Sequence, residues 1–454
     1  MNGKVVKLYF RRGAIFALFL PLLLAGQSTA LSADSQAVDE RIDREQLLRD
    51  LQILSSDSLA GRRTGTAGHE KAQRYLAGRF REIGLHQFGP DYFQRFAIAA
   101  PGFSTAPLTN GPAPPDTIRG ANLIGYLPGR EDSSNVIVLS AHYDHLGVRN
   151  GAVYYGANDN ASGMAGVLET ARVLSQYRFP ASILYVGLSG EEQGLNGGEI
   201  LARHALAQGW HLQAVVNNDM IGNIRGINGV VNNSTARVFS EGTRYVETQD
   251  EATQRRFQGG ELDSASRNLA RYIDTMADLY VPNLDVMMVY RLDRFGRGGH
   301  HRPFNEVGLP AVRIMETNEN YHWQHQDVRV ENGIAYGDVI EHVDFDYAAK
   351  LTALNAVTLA SMAWAPAPPT QVSIRGQVSP DTTLSWQKVP GAAAYRVHWR
   401  LTTDAQWTHS RSVGNVDSFT LENVVIDNYF FGVSSVSEDG LQSPVVFPGP
   451  AGAF

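Results

Sequence analysis

The sequence contains no cysteine among its 454 residues. This absence excludes disulfide bonds, and it excludes any metal site built from thiolates, so a metal here would need nitrogen and oxygen ligands. A lipoprotein anchor is excluded as well, because no cysteine follows the segment LLLAG at 22–26. Stability must therefore come from burial of a core and from any bound metal.

The sequence also lacks an excess of basic residues, since its formal net charge is −7. Nucleic acids and anionic membranes both reward clustered lysine and arginine, so neither is an expected partner. A serine-hydrolase elbow is missing too, because GLSGE at 187–191 lacks the final glycine of GxSxG. With 43% hydrophobic and 19% charged residues, the composition is that of a globular protein, and the length predicts two domains.

Residues 1–33 have the pattern of a secretory signal peptide: a basic start, an apolar run too short to span a bilayer comfortably, and small residues at Ala30 and Ala33. We expect an exported protein, periplasmic or extracellular, with no stable membrane anchor after cleavage. Cleavage would change the formal net charge from −7 to −11, because the removed segment contains four basic residues and no acid: Lys4, Lys7, Arg11 and Arg12.

The remaining chain divides at the proline-rich segment APAPPT, residues 365–370, which suits a linker. Before it, residues 38–364 alternate apolar strands with helices, which predicts an α/β domain with a mixed, mainly parallel sheet sandwiched by helices. After it, residues 371–451 show short alternating runs separated by turn signals. This pattern predicts a small all-β sandwich and resembles fibronectin type III modules. The expected core aromatics of the sandwich are Trp386, Tyr395 and Tyr429.

Three segments of the first domain are distinctive. Residues 42–84 have apolar positions at helical spacing and predict two amphipathic helices. Residues 344–364 predict a long closing helix. The charged segment 247–261 predicts a surface loop.

Hydrophilic motifs stand at the ends of the apolar runs of this domain: HYDHLG at 142–147, NDNASG at 158–163, SGEEQG at 189–194, and Asp219 in AVVNNDMIG. An α/β sheet presents ligands from its strand ends. Imidazole and carboxylate together bind a borderline cation such as zinc. Taken singly, each motif also fits a surface turn or a helix cap, but their combination predicts a metal site for hydrolysis.

In HYDHLG, His142 and Asp144 are two residues apart, so they should face the same side of a strand end, where Asp144 can brace a metal-bound imidazole. His145 is the nearest rival ligand, and the same alternation predicts that its side chain points to the opposite face.

The acidic motifs suggest more than one cation. Asp159 has two oxygens that can each bind one metal. Glu191 and Glu192 are adjacent and would repel each other unless cations compensated them, and neighbouring carboxylates can then take different roles. Asp219 is a fourth acid at a strand end.

The last ligand should come from NYHWQHQDV at 320–328, where His322 and His325 are both candidates. We favour His325, because it precedes Asp327 by two residues and so repeats the HxD spacing of His142. His300 and His301, in GRGGHHRPF, suit a pocket wall or a structural role better.

Five motifs in this order, HYDHLG, GANDNASG, GLSGEEQGL, NNDMIG and the late histidine with its aspartate, resemble the secreted bacterial dizinc aminopeptidases that include aminopeptidases S and Y. The resemblance covers about residues 42–362. It implies two zinc ions bridged by Asp159 and a substrate that is a peptide or protein N-terminus. It further implies that His142 and Asp219 hold one zinc, that Glu192 and the late histidine hold the other, that Glu191 is the general base, and that Asp144 orients His142.

The sequence departs from that family in two places. Family members commonly show HTxxD around the late histidine, whereas position 323 here is Trp, and GGHH at 298–301 replaces a more usual GGDH. Two further enzyme classes on the same scaffold stay open, glutaminyl cyclases with one zinc and carboxypeptidases. A non-catalytic binding ectodomain is less favoured, because every ligand type is present.

Overall fold

The computed structural model describes residue 38 and residues 41–99, 105–107, 117–130 and 135–454. The predicted signal peptide, residues 1–33, lies outside the described residues. In the part of the chain that the structure describes, no helix combines the length and the apolar character needed to cross a bilayer.

Eight α-helices are described: α1 Arg44–Leu54, α2 Ala67–Ile83, α3 Gly163–Leu174, α4 Asn196–Ala207, α5 Gln249–Gln258, α6 Ala265–Tyr280, α7 His301–Glu306 and α8 Phe345–Trp364. The described strands before the linker are β1 His86–Gln87, β2 Phe93–Ala99, β3 Thr105–Pro107, β4 Thr117–Leu127, β5 Asn135–His142, β6 Gly147–Arg149, β7 Ala152–Tyr154, β8 Ser182–Leu188, β9 His211–Asn218, β10 Thr235–Ser240, β11 Asp285–Val289, β12 Ala311–Glu316, β13 Arg329–Glu331 and β14 Ile334–Tyr336. After it come β15 Thr370–Arg375, β16 Thr382–Gln387, β17 Ala394–Leu401, β18 His409–Gly414, β19 Ser418–Leu421 and β20 Tyr429–Val436.

One large sheet organises the first domain. Its strand order is β11-β10-β12-β9-β5-β8-β4-β2-β3, with β1 paired to β4. The central pairs β12–β9, β9–β5 and β5–β8 are parallel, whereas β8–β4, β4–β2 and β10–β12 are antiparallel. The predicted α/β fold with a mixed, mainly parallel sheet is confirmed, and the parallel pairing is concentrated at the centre.

Both faces of the sheet are covered by helices, and β5 shows why. Its Ile137 and Leu139 belong to the apolar cluster shared with α1, α2, α3, α6 and α8, whereas Val136 and Val138 pack into a second cluster with α4 and α7. Successive side chains of a strand point to opposite faces, so a strand buried on both faces is apolar throughout. The continuous run NVIVLSA in β5 follows from this burial.

The helices expected from the sequence are largely present. The two helices predicted over 42–84 are α1 and α2, and the long closing helix predicted over 344–364 is α8. The prediction of a surface loop over 247–261 is wrong, because α5 occupies the middle of that segment. This helix has no buried residue, and a capping box between Thr248 and Glu251 satisfies its first amides. Local capping thus stabilises a helix that lacks the apolar stripe by which a helix is predicted from sequence.

Two three-stranded antiparallel sheets follow the linker, in the orders β15-β16-β19 and β18-β17-β20. The predicted small β-sandwich is confirmed, with Trp386 and Tyr395 buried and Tyr429 half-buried against the same core. The described strand β18 lies in no run predicted from the sequence. Its side chains are almost all exposed, so it lacks the alternation that marked its neighbours.

The sandwich packs directly on the α/β domain. Arg400 of β17 places Nη2 2.7 Å from Oδ2 of Asp263, and Arg271 of α6 places Nη1 2.8 Å from Oδ1 of the same carboxylate. The side chains of all three residues are almost completely buried. The linker is held as well, because the Ser435 hydroxyl donates to the carbonyl of Ala367 at 2.7 Å.

Candidate metal centre

The predicted site residues meet at one edge of the large sheet. The order β9-β5-β8 places three parallel strands side by side, so their carboxyl ends lie together. His142 is the last residue of β5, Glu191 follows β8 by three residues, and Asp219 directly follows β9. Asp159 lies in the turn that precedes α3 and is also buried.

A first group of ligand atoms consists of His142, Glu191 and Asp219, each offering an atom within 4.8 Å of the others. Nε2 of His142 lies 3.6 Å from Oδ1 of Asp219 and 3.2 Å from Oδ1 of Asp159. The His142 imidazole therefore lies near three carboxylates, those of Asp159, Glu191 and Asp219.

A second group consists of His145, Asp159, Glu192 and His325, again within 4.8 Å of one another. Nε2 of His325 lies 2.9 Å from Oδ2 of Asp159 and 3.3 Å from Oε1 of Glu192. Asp159 thus belongs to the surroundings of both groups, with Oδ1 toward His142 and Oδ2 toward His325. The two groups are adjacent and are joined by this carboxylate.

The position of His145 differs from the expectation that it points to the opposite face. Its ring is buried, and Nδ1 lies 3.0 Å from Oε1 of Glu192. The expectation is wrong because β5 ends at His142, so the strict alternation of an extended strand does not continue to position 145. The sequence pattern gave no sign of where the strand would stop.

The structure separates the two candidates for the late histidine. His325 reaches the second group, whereas the His322 ring packs edge-on against Tyr336. Asp327 does not repeat the role of Asp144, because it pairs with Arg329 at 2.5 Å. Trp323 stacks on His342 with ring centroids 3.9 Å apart, which fixes the turn that carries His325.

Asp144 supports two neighbouring site residues. Its backbone carbonyl is 3.0 Å from Nδ1 of His142, which orients the imidazole with Nε2 toward the acids. Its carboxylate lies farther from that nitrogen, at 3.8 Å, and instead accepts the backbone N–H of Glu191 at 3.2 Å and the Thr64 hydroxyl at 3.1 Å. The side chain of Asp144 therefore positions the turn after β8 rather than the imidazole.

Two buried residues that hold the site were missed in the sequence. Arg313, in β12, places Nη2 3.1 Å from Oδ1 of Asp219. Asp338 accepts the backbone N–H groups of Asn158 and Asp159 at 2.7 and 2.8 Å. An arginine inside the apolar run VGLPAVRIME was a signal for the first, whereas the lone Asp338 offered none.

The histidines of GRGGHHRPF lie beside the first group. His300 and His301 are both fully buried, and the His300 ring centroid is 6.2 Å from that of His142. Nε2 of His301 is 2.7 Å from the Leu292 carbonyl oxygen. These positions fit the wall or structural role expected from the sequence.

The surroundings of the site shift the pKa values of Glu191 and Glu192 in opposite directions. Burial raises the pKa of Glu191 well above its usual range, and the nearby carboxylates of Glu192 and Asp219 raise it further, against the opposing effect of His142. Burial raises the pKa of Glu192, but the close approach of the His145 and His325 imidazoles outweighs burial and lowers that pKa to about 2. Acids this close together need positive charge between them.

The unsatisfied atoms of the site fit metal ions. Nε2 of His142, both ring nitrogens of His145 and Oε1 of Glu192 are buried without a well-aligned hydrogen bond to any described residue. Buried polar atoms in folded proteins almost always have partners, so a missing group is indicated. Imidazole nitrogens and carboxylate oxygens are the ligands that zinc takes where thiolate is absent. The residues present therefore fit the cation expected from the sequence.

Comparison with known proteins agrees with this chemistry. Residues 122–343 match the family model described as peptidase family M28. The chain is 36% identical over 400 residues to a probable zinc metalloprotease of Leptosphaeria maculans, covering 87% of this chain and 90% of that protein. It is 39% identical over 340 residues to a probable zinc metalloprotease of Pyrenophora tritici-repentis, covering 73% and 70%. Both relatives are fungal proteins, so they do not confirm the expected similarity to bacterial aminopeptidases in particular.

Solved structures share the fold. The LapA aminopeptidase of Legionella pneumophila is similar with a TM-score of 0.52 at 20% identity, covering 73% of this chain and 75% of that one. An aminopeptidase from Aneurinibacillus sp. strain AM-1 gives a TM-score of 0.50 at 14% identity, covering 73% and 96%. The family match and the length of the similarity to the fungal relatives together decide the assignment. The chain belongs to peptidase family M28 and is a zinc metallopeptidase.

Proposed function

We propose that this enzyme is an aminopeptidase that uses two zinc ions to hydrolyse the first peptide bond of its substrate. The observation that carries the proposal is the position of Asp159, whose Oδ1 lies 3.2 Å from Nε2 of His142 and whose Oδ2 lies 2.9 Å from Nε2 of His325. A carboxylate with its two oxygens directed to two separate groups of ligands is the bridge that a pair of cations needs.

The ligand sets follow from the two groups. His142 and Asp219 would hold one zinc, Glu192 and His325 would hold the other, and Asp159 would contact both. Bound zinc supplies two effects, a lowered pKa of water and polarisation of the scissile carbonyl. Arg313 and Asp144 keep Asp219 and the Glu191 turn in place.

Glu191 is the general base in this proposal. Its carboxylate lies at the edge of the first group and is partly exposed, so a substrate can reach it. The raised pKa of Glu191, caused by burial and by neighbouring carboxylates, suits a group that accepts a proton from water and then donates it to the leaving amine. The adjacent Glu192 is directed to the imidazoles of His145 and His325 instead, so the two glutamates have different roles in this proposal.

In this proposal the negative charge of the site favours a substrate N-terminus over an internal peptide segment. Glu191 is partly exposed and His325 is exposed, whereas His142, His145, Asp159 and Asp219 are buried and the Glu192 side chain is only 5% exposed. A substrate α-ammonium group approaching this opening meets carboxylates, which attract it. An internal peptide segment has no such positive group to place there.

Zinc content and aminoacyl-anilide hydrolysis test the proposal together. Elemental analysis should give two zincs per chain, and chelation should abolish hydrolysis of the anilides. Glu191→Gln should retain both zincs and lose about 10²- to 10⁴-fold in kcat, the range expected when a general base is removed. The matched control Glu45→Gln, on the exposed first turn of α1, should behave like the wild type. One zinc with no anilide hydrolysis would instead favour a cyclase.

We also propose that the enzyme is exported. The support is the signal-like pattern of residues 1–33. The two core clusters of the described α/β domain account for a fold that needs no disulfide. Fractionation of expressing cells and mass determination of the mature N-terminus test this: a cytoplasmic chain that retains residues 1–33 would contradict it.

A further inference from the structure

His145 occupies a position for which the two ligand sets above give no role. Its ring is buried, Nδ1 lies 3.0 Å from Oε1 of Glu192, and its centroid is 5.6 Å from that of His325. One of its nitrogens lies within 4.8 Å of ligand atoms of Asp159, Glu192 and His325. The imidazole therefore faces the same space as the ligands proposed for the second zinc.

The backbone is shaped to hold this ring. Gly156 has φ +61°, and a Cβ at that position would stand 2.5 Å from Cγ of His145 and 2.6 Å from Cδ2. Glycine alone lets the loop before Asp159 pass so close to an imidazole. The ring therefore lies directly against this loop and beside Glu192.

A buried histidine that serves only the fold normally has hydrogen-bond partners. His69 in this protein is such a case, since Nε2 lies 2.8 Å from the Ser189 hydroxyl and Nδ1 lies 3.2 Å from the Gln73 side-chain amide. Neither nitrogen of His145 has a well-aligned hydrogen bond to a described residue. His300 is also buried with neither ring nitrogen hydrogen-bonded to a described residue, but it belongs to neither group of ligand atoms, whereas His145 faces Asp159, Glu192 and His325. An imidazole in that position has a nitrogen lone pair available for a metal.

We propose that His145 is an additional nitrogen ligand of the zinc held by Glu192 and His325. This inference rests on the proposed function, because it requires the second zinc position. The two positions then differ in chemistry, with two imidazoles and two carboxylates at one and a single imidazole, from His142, among carboxylates at the other. Imidazole raises the preference for zinc over oxygen-preferring cations. The position with His145 therefore loads first and releases its ion last.

Titration of metal-free enzyme with Co²⁺, followed by visible absorption and calorimetry, tests the inference. The wild type should bind two ions in separable steps. His145→Gln should weaken the tighter step at least tenfold and leave the other step unchanged, since a lost ligand costs at least as much as a lost supporting group. The matched control His322→Gln removes a histidine from the turn that carries His325 but lies outside both groups, and it should titrate like the wild type.

A second measurement avoids dependence on the folding of the variant. In Co²⁺-loaded wild-type enzyme, proton NMR should show exchangeable, metal-shifted N–H signals from three bound imidazoles, those of His142, His145 and His325. Two signals with two ions bound would overturn the role of His145 and leave the proposed function intact. Fewer than two ions bound to the wild type would overturn both. An unchanged affinity in His145→Gln would also overturn the inference.

Discussion

Arg313 lies directly behind Asp219, with Nη2 3.1 Å from Oδ1, and both side chains are buried. The same guanidinium donates through Nη1 to Asp293 at 3.0 Å and through Nε to the backbone carbonyl of Asp219. Its planar fork thus joins the end of β9 to the loop that contains Asp293. The orientation of a proposed zinc ligand depends on an arginine in the neighbouring strand.

Replacing this arginine should weaken metal binding without abolishing the fold. Arg313→Lys keeps the positive charge but loses the fork, so Asp219 loses its fixed orientation. We expect zinc affinity at the His142 position to fall about 10- to 100-fold, as for other groups that orient a metal ligand. Competition with a chromophoric chelator measures this affinity. Arg302→Lys, on the exposed side of α7, is the control, and equal affinities in the two variants would contradict the prediction.

Removal of the metal should lower thermal stability, because the carboxylates around Asp159 then repel one another. We expect the melting temperature of the chelated enzyme to fall by several degrees and to recover on addition of zinc. Calorimetric melting with and without chelator measures the change. Asp159→Asn, which removes the charge shared by both groups, should respond much less to the chelator. A chelator effect of the same size in this variant would show that the stabilising ion binds elsewhere.

Two substitutions at the contact between the two domains should lower the free energy of unfolding by different amounts. Asp263 is the only acid between two buried arginines, Arg271 and Arg400, among the residues that the structure describes in this contact. Asp263→Asn leaves two buried positive charges together and should lower the free energy of unfolding by about 3–5 kcal/mol. Arg400→Leu leaves a neutral pair and should cost less, about 1–3 kcal/mol for the lost hydrogen bonds.

Denaturant unfolding of both variants measures this difference. Asp427→Asn, an exposed acid of the same sandwich, serves as the control and should stay within about 0.5 kcal/mol of the wild type. A larger cost for Arg400→Leu than for Asp263→Asn would contradict the charge argument.

Much of the α/β fold could be predicted because its strands are buried on both faces. Runs such as NVIVLSA can only be central strands or buried helices, and their alternation with amphipathic segments leaves few topologies. The helix α5 and the strand β18 were missed for one shared reason, since both are exposed and carry no apolar periodicity. Capping and edge pairing stabilise them, and such interactions leave weak marks in a sequence.

The candidate site could be predicted as far as its ligands follow strand ends. His142 and Asp219 depend only on where β5 and β9 stop, and Asp159 lies in the turn before α3. The placement of His145 was wrong because the alternation rule was applied one turn beyond the strand. Asp338 is about 180 positions from the amides of Asn158 and Asp159 that it binds. Contacts over such distances are set by the fold, and no local pattern encodes them.

His398 of β17 predicts how stability changes with pH. Its ring is buried, Nε2 lies 2.8 Å from the Ser434 hydroxyl, and burial lowers its pKa from 6.5 to about 3. Below pH 6.5 the unfolded chain binds a proton at this histidine that the folded chain does not bind, so the free energy of unfolding falls as the pH falls toward 3. The slope reaches about 1.4 kcal/mol per pH unit, which gives up to about 2 kcal/mol between pH 6.5 and 5.

The variant His398→Gln removes this titration. Its unfolding free energy should therefore fall less than that of the wild type between pH 7.5 and 5, by up to about 2 kcal/mol, whatever its stability at pH 7.5. Denaturant unfolding at both pH values measures the difference, and the contribution of the metal site is the same in both proteins and cancels. His409→Gln, which removes an exposed histidine of the same sandwich, should follow the wild type. Equal pH dependence in His398→Gln and the wild type would mean that His398 takes up its proton in the folded state as readily as in the unfolded chain.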